Sequence, residues 1–198
     1  MARQIAKDHD QKRARILKTA ARVFAEEGFA RASMAQVAKA CEISKANIYH
    51  YYGSKDALLF DILDSYLCAL HDRVLGLQLD GLEPSERLRR AIAETLLAYE
   101  GMDHEHQIQT EGIALLPPDQ QEVLKGYQRD MVRFFGAILG DVAPESFAGD
   151  PGKLRAATMS VFGMLNWFYM WNGGADREAR LGYADLVSQL TLNGVRAL

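Results

Sequence analysis

From Ser44 to Tyr52 the chain runs Ser-Lys-Ala-Asn-Ile-Tyr-His-Tyr-Tyr. Read as a short helix opened by Ser44, this stretch turns Lys45, Asn47, Tyr49, His50 and Tyr51 one way and Ile48 and Tyr52 the other. One side packs. The other offers donors, acceptors and aromatic rings, the chemistry that reads a DNA major groove. Ser33 and Ser44 read as helix caps.

Other chemistry is poorly supported. His104 and His106 are two residues apart and so do not share a helix face. With Cys68 and His71 elsewhere, no metal site is expected. There is no glycine-rich phosphate loop and no G-x-S-x-G nucleophile turn. We therefore expect no catalytic residues, no cofactor and no enzyme.

The elements that must position the reading residues are all helical. A first helix is predicted from Asp10 to Glu27, with Ile16, Ala20, Val23 and Phe24 as its apolar stripe and Gly28 as its stop. Ser33, with Gln36 three residues on, has the reciprocal capping pattern for a second, short helix whose Val37, Ala38 and Cys41 face inward. A turn through Glu42 and Ile43 leads to the third. Ser44 opens that helix, Gly53 ends it, and Ser54 caps a long fourth helix from Lys55 to about Leu75. Short helices are marginal alone. Phe24, Ile48 and Leu58 are placed to hold these two.

Charge follows the same division. Residues 1–60 hold 11 Lys or Arg against 6 Asp or Glu, while the remainder holds 12 against 20. A basic head on an acidic body suits a polyanion partner. No run of about 18 apolar residues and no apolar leader are present, so no membrane association is expected and the cytoplasm is the expected compartment. Cys41 and Cys68 read as buried free thiols.

Over residues 11–60 the sequence resembles the TetR family of repressors. The likeness rests on Ile16-Leu17-Lys18-Thr19-Ala20, Phe24-Ala25-Glu26-Glu27-Gly28-Phe29, Val37-Ala38, Ser44 through Tyr52, and Ser54-Lys55-Asp56 in that order and spacing. The resemblance implies that Lys45, Asn47, Tyr49 and His50 face the major groove, with Asn47 suited to an adenine edge. It implies that Tyr49 and Tyr51 meet phosphates or thymine methyl groups, that Lys55 grips a phosphate at the positive helix end, and that Ser33 and Ser44 cap helices beside the DNA. Lys12, Arg13 and Arg15 either touch the DNA backbone or are solvated, and solvation is the expectation for each. It also implies a homodimer on double-stranded DNA carrying an inverted repeat. The family usually has glycine where this chain has Glu42.

Beyond the head, further helices are predicted from Pro84 to about Glu100, from Met102 to Leu115, after Pro117-Pro118, from Asp150-Pro151 to about Trp171, and from Asp176 to Arg196; Gly140–Gly149 reads as a loop. The expected fold is all-α with about nine helices. A DNA-binding helix-turn-helix head over residues 1–54 joins a ligand-binding and dimerisation body over residues 55–198. Leu154, Ala157, Val161, Leu165 and Phe168 form one stripe for dimer pairing, and Tyr183, Leu186, Val187, Leu190 and Gly194 the other; the same stripes also suit the chain's own core. Half of the ten residues from Phe162 to Trp171 are aromatic. Phe162, Asn166, Trp167 and Met170, with Met102, His106, Met131, Phe134 and Phe135, are the candidate pocket lining, of a kind that accepts flat or long apolar molecules.

The C-terminal half, through Phe162 to Tyr169 and Tyr183-Ala184-Asp185, is similar to TetR relatives that control fatty-acid, aromatic-acid or sterol catabolism, several of which respond to acyl-CoA thioesters. That likeness implies a small-molecule effector, possible partners for its charge being Arg129, Arg133 and Arg177. The functional expectation is a repressor released from its operator by a small apolar or acyl-CoA-like effector. The alternatives are a ligand-independent regulator or an activator.

Overall fold

The computed structural model describes residues 2–198, with side chains from His9 onward. Among the described residues there are ten helices and no strand: α1 (Ala2–Glu27), α2 (Met34–Ala40), α3 (Lys45–Tyr51), α4 (Lys55–Leu75), α5 (Pro84–Ala98), α6 (Asp103–Leu115), α7 (Pro118–Val142), α8 (Pro144–Phe147), α9 (Pro151–Trp171) and α10 (Arg177–Val195). Two differences from the sequence expectation stand out. α1 starts at Ala2 rather than Asp10, and the expected loop at 140–149 holds the end of α7 and the single turn of α8. Pro144 at the first turn starts α8, since a proline there forfeits no helical hydrogen bond.

Side-chain caps set five of the ten starts among the described residues. Ser33 Oγ accepts from Gln36 N at 3.3 Å while Gln36 Oε1 accepts from Ser33 N at 2.8 Å, so two orphan donors are matched at the head of α2. Ser44 accepts from Asn47 N at 3.1 Å, Ser54 from Ala57 N at 3.0 Å, Asp150 from Lys153 N at 2.9 Å and Asp176 from Ala179 N at 2.9 Å. Each such cap contributes about 1 kcal/mol.

The end of α2 explains the turn. Ile43 N donates to Ala38 O at 3.0 Å and Glu42 N to Lys39 O at 3.1 Å, the paired bonds of a helix that closes through a left-handed residue. That residue is Glu42, with φ of 58°. Glycine adopts this conformation at little cost, whereas an L side chain costs roughly 1–2 kcal/mol there. Arg15 offsets part of this, because its Nη2 donates to Glu42 Oε2 at 2.9 Å and to the Cys41 carbonyl at 3.2 Å.

Packing divides the chain into two compact units, one holding residues up to Tyr66 together with His104–Leu124, the other Leu67–Asp103 with Lys125–Leu198. In the first, Ala20, Phe24, Val37, Ile48, Leu58, Leu59 and Leu63 are buried. Each large apolar side chain so buried stabilises by about 1.5–3 kcal/mol. α6 belongs to this unit from His104 onward, and at Gly112 it lies so close to α4 that a Cβ would stand 3.4 Å from Leu63 Cδ1 and 3.5 Å from Leu59 Cδ1. In the second unit α5 packs on α10 and α9, over Leu88, Ile92, Leu96, Leu165, Phe168 and Val187.

That second unit contains a fully buried cation. Arg180 sends Nη2 to Asp103 Oδ1 at 3.3 Å, Nε to the Ala175 carbonyl at 3.1 Å and Nη1 to the Leu96 carbonyl at 3.4 Å. Its guanidinium lies 5.7 Å from the centre of the Phe168 ring. Asp103 also accepts from Gly174 N at 2.8 Å. Arg180 occupies the same buried stripe of α10 as Ala184, Val187 and Thr191, so helical spacing marks it as inward-facing although its charge does not.

Candidate nucleic-acid interface

α3 has two sharply different sides. Ile48 is fully buried and Tyr52, its C-cap, nearly so, while Ser44, Lys45, Ala46, Asn47, Tyr49 and His50 are exposed. Lys45 Nζ stands 6.0 Å from the Tyr49 ring centre. His50 meets Tyr51 edge-on at 6.0 Å. Tyr51 is only half-exposed because His9 of α1 stacks on it at 5.1 Å. Thus Lys45, Asn47, Tyr49 and His50 share an open face, and Tyr51 lies at its edge.

The reverse side of α3 is anchored by charge. Tyr52 donates its hydroxyl to Asp61 Oδ2 at 2.5 Å. Arg13 binds both oxygens of the same carboxylate, through Nε at 3.0 Å and through Nη2, and also reaches Ser65 Oγ at 3.3 Å. Burial, then the neighbouring Asp61 carboxylate, pushes the Tyr52 phenol well above its ordinary value, so it stays protonated and a donor. The hydrogen bond to Asp61 likewise raises Arg13. α1, α3 and α4 are therefore tied at one carboxylate.

Basic residues of the head have partners within the chain. Lys55 turns its ammonium to the loop that precedes α2. It is half-buried, and its three donors go to the carbonyls of Phe29, Ala30 and Ala32 at 2.6, 3.3 and 2.9 Å, with Phe29's ring 4.4 Å away. An ammonium has three N–H groups, and this loop between α1 and α2 takes all of them. Arg13 is partly buried and ion-paired to Asp61, while Arg15 stays exposed and meets the exposed Glu42 carboxylate. Ser33, whose hydroxyl also donates to Gln36 Oε1 at 2.8 Å, and Ser44 are occupied as caps.

The pocket and dimer candidates also sort by helix phase. Phe135 and Phe162 are buried and meet at 5.0 Å, and Met131 is buried with them in the second unit. Phe134 is half-buried beside Phe135, and Asn166 accepts from Tyr99 at 2.8 Å. Met102 is at the surface, and His106 is buried in the first unit. Trp167 and Met170, expected in a lining, are instead exposed at 62% and 53%. Conversely Val161, Leu165, Phe168 and Val187, expected to pair with a second chain, lie in the chain's own core. Leu154, Ala157 and Tyr183 are half-buried; Tyr183 donates to the Met164 carbonyl at 3.2 Å and stacks on Phe168 at 4.6 Å. The outward stripe of α9 is Met159, Gly163, Trp167, Met170 and Trp171, and that of α10 includes Leu186, Leu190 and Gly194. A stripe repeats every 3.6 residues, so inward and outward sets interleave in one apolar helix and composition alone does not separate them.

Comparison with known proteins supplies the class. Residues 16–62 match the family of bacterial regulatory proteins called tetR, and residues 81–195 match the tetracyclin repressor-like C-terminal domain. The chain belongs to the TetR family. It is thus a DNA-binding transcriptional regulator rather than an enzyme. This TetR-family protein is similar to the transcriptional repressor NicS of Pseudomonas putida, with 25% identity across 96% of this chain and 95% of that one. Against the first of its curated relatives, by contrast, the match covers 30% of the relative's length. In structure it is similar to a TetR-family regulator from Bordetella parapertussis, with TM-score 0.85, 30% identity and coverage of 94% and 96% of the two chains. It is also similar to AibR in complex with isovaleryl coenzyme A and operator DNA, with TM-score 0.75, 26% identity and coverage of 90% and 97%. No helix among the described residues is long and apolar enough to cross a membrane.

Proposed function

We propose that this TetR-family regulator is a cytoplasmic repressor that binds an inverted-repeat operator as a homodimer and is released by a small apolar or acyl-CoA-like effector. The observation that carries the reading is the division of α3: Ile48 and Tyr52 locked inward, Lys45, Asn47, Tyr49 and His50 open on one face. In this reading residues 1–54 read DNA and residues 55–198 carry effector binding and pairing. Asn47, Tyr49 and His50 choose sequence, and Lys45 adds affinity that falls with salt. Because Lys55 is committed to backbone carbonyls, it acts by holding the head together.

The second copy covers α9 and α10. Trp167, Met170, Trp171, Leu186 and Leu190 leave an apolar surface that a monomer rarely exposes, and Gly163 and Gly194 allow close helix approach. One α3 covers only a few base pairs, so pairing supplies the second half-site. The effector reading draws support from AibR, whose complex holds isovaleryl coenzyme A. Effector binding releases DNA only by its differential affinity for the non-binding arrangement.

The test is selection of binding sites from random duplex DNA by the full chain. An inverted repeat with half-sites about 10 base pairs apart, or a multiple of that, is the expected result. Enrichment of a lone half-site, or of no sequence, refutes the reading. Release of the selected DNA is then measured with a panel of acyl-CoA thioesters.

A further inference from the structure

The contact between α4 and α6 leaves one buried amide oxygen without a hydrogen-bond partner in the protein. Tyr66 and His106 are both buried, their rings perpendicular with centres 6.2 Å apart. The Tyr66 hydroxyl lies 2.6 Å from His106 Nδ1. Gln109, one turn along α6, brings Nε2 to 3.2 Å from the same Nδ1. Two polar groups thus converge on one ring nitrogen, which as donor or as acceptor makes a single well-directed hydrogen bond. The other end of the amide, Gln109 Oε1, is buried with no hydrogen-bond partner. Turning the amide over exchanges which end is unmatched and leaves the mismatch in place. A purely structural contact would be more stable with an apolar side chain here, since an unmatched buried polar group is costly.

We infer that Tyr66, His106 and Gln109 form the polar end of the effector site, and that they take a neutral amide or hydroxyl borne on an apolar body. This rests on the effector reading above. An amide or hydroxyl both donates and accepts, so it matches the open end of Gln109 in either orientation. The three side chains are a phenol, an imidazole and an amide, and the adjacent buried carboxylate of Glu105 faces Lys18 at 3.2 and 3.3 Å. The setting suits a neutral group better than a free carboxylate.

The experiment uses the full-length chain, its Gln109→Met and Gln109→Leu variants and two matched ligand sets: isovaleryl-CoA, isovaleramide and isovalerate; benzoyl-CoA, benzamide and benzoate. Melting temperature is read with and without each compound. We expect the wild type to be stabilised by the amide, or by the coenzyme A thioester through its pantetheine amide, and not by the carboxylate of the same set. We expect both variants to lose that shift, and to melt about 2–4 °C higher than wild type without ligand. If both variants melt lower than wild type without ligand, Gln109 is structural and the inference fails. If the wild type responds and the variants respond equally, the subsite is elsewhere while the effector reading stands. A carboxylate shift as large as that of the amide removes the assigned ligand class. A wild type indifferent to every compound overturns the effector reading and this inference with it.

Discussion

α3 in one compact unit and the α9–α10 pair in the other are built the same way behind and differently in front. Behind α3 stands a charged knot, Arg13 and Tyr52 on Asp61. Behind α10 stands another, Arg180 on Asp103. In front, α3 shows Lys45, Asn47, Tyr49 and His50, whereas α9 and α10 show Trp167, Met170, Leu186 and Leu190. The comparison teaches that the anchoring charges say little about the partner. In both places an ion pair holds the inner side of a helix, and what the outer side shows to solvent, donors and rings on α3 but apolar side chains on α9 and α10, does not follow from it.

The comparison breaks first at its anchors. Arg180→Ala leaves Asp103 beside a void with no cation, and we expect a loss of about 3–5 kcal/mol in urea unfolding. Arg180→Met, which keeps the stem over Phe168 but also removes the cation, should cost nearly as much; a distinctly smaller cost would mean that packing rather than charge is the anchor. Next come the two faces. Tyr49→Ala with His50→Ala should weaken specific operator binding by about 2–4 kcal/mol in a titration, with sedimentation still showing a dimer. Leu190→Glu should do the reverse at its own face: a monomer by sedimentation, with the helical circular dichroism signal retained. A variant at either face that damages both properties would show that the faces are not separable.

The two lysines sharpen the contrast further. Lys45→Gln should flatten the slope of log affinity against log salt by about 0.9, with an unchanged melting temperature. Lys55→Gln should leave that slope alone and lower the melting temperature, since it strands three carbonyls. If Lys55→Gln changes the slope as Lys45→Gln does, its ammonium leaves the carbonyls for phosphate on binding. The smallest effect belongs to Glu42→Gly. It relieves a left-handed L residue but loses the Arg15 ion pair, for a net gain of about 0.5–1 kcal/mol by urea unfolding.

Much of this was legible along the chain, and the parts that were not share a cause. The caps Ser33, Ser44, Ser54, Asp150 and Asp176 act within three residues of themselves, so sequence spacing exposes them. Ile48 and Tyr52 fall on the inner side of α3 because their spacing is helical. Lys55 reads as a phosphate ligand because a helix start attracts anions and its ammonium adds to that attraction. Its partners within the chain, the carbonyls near residue 30, are some 25 positions away, and no local pattern points to them. The phase of α9 is illegible along the chain for a related reason. Apolar residues surround the whole helix, so its inward and outward stripes carry the same chemistry.

By itself, then, the order of residues determined the helices, their caps, the inward side of α3 and the membership of the TetR family. Each follows from interactions within a few positions or from a periodic stripe. Only the folded chain decided where each charge ends, which stripe of α9 faces out, and that the α4–α6 contact leaves an amide unmatched. Charge partners and helix phase depend on neighbours dozens of residues away, brought within about 3 Å by packing, and a linear pattern carries no record of that distance.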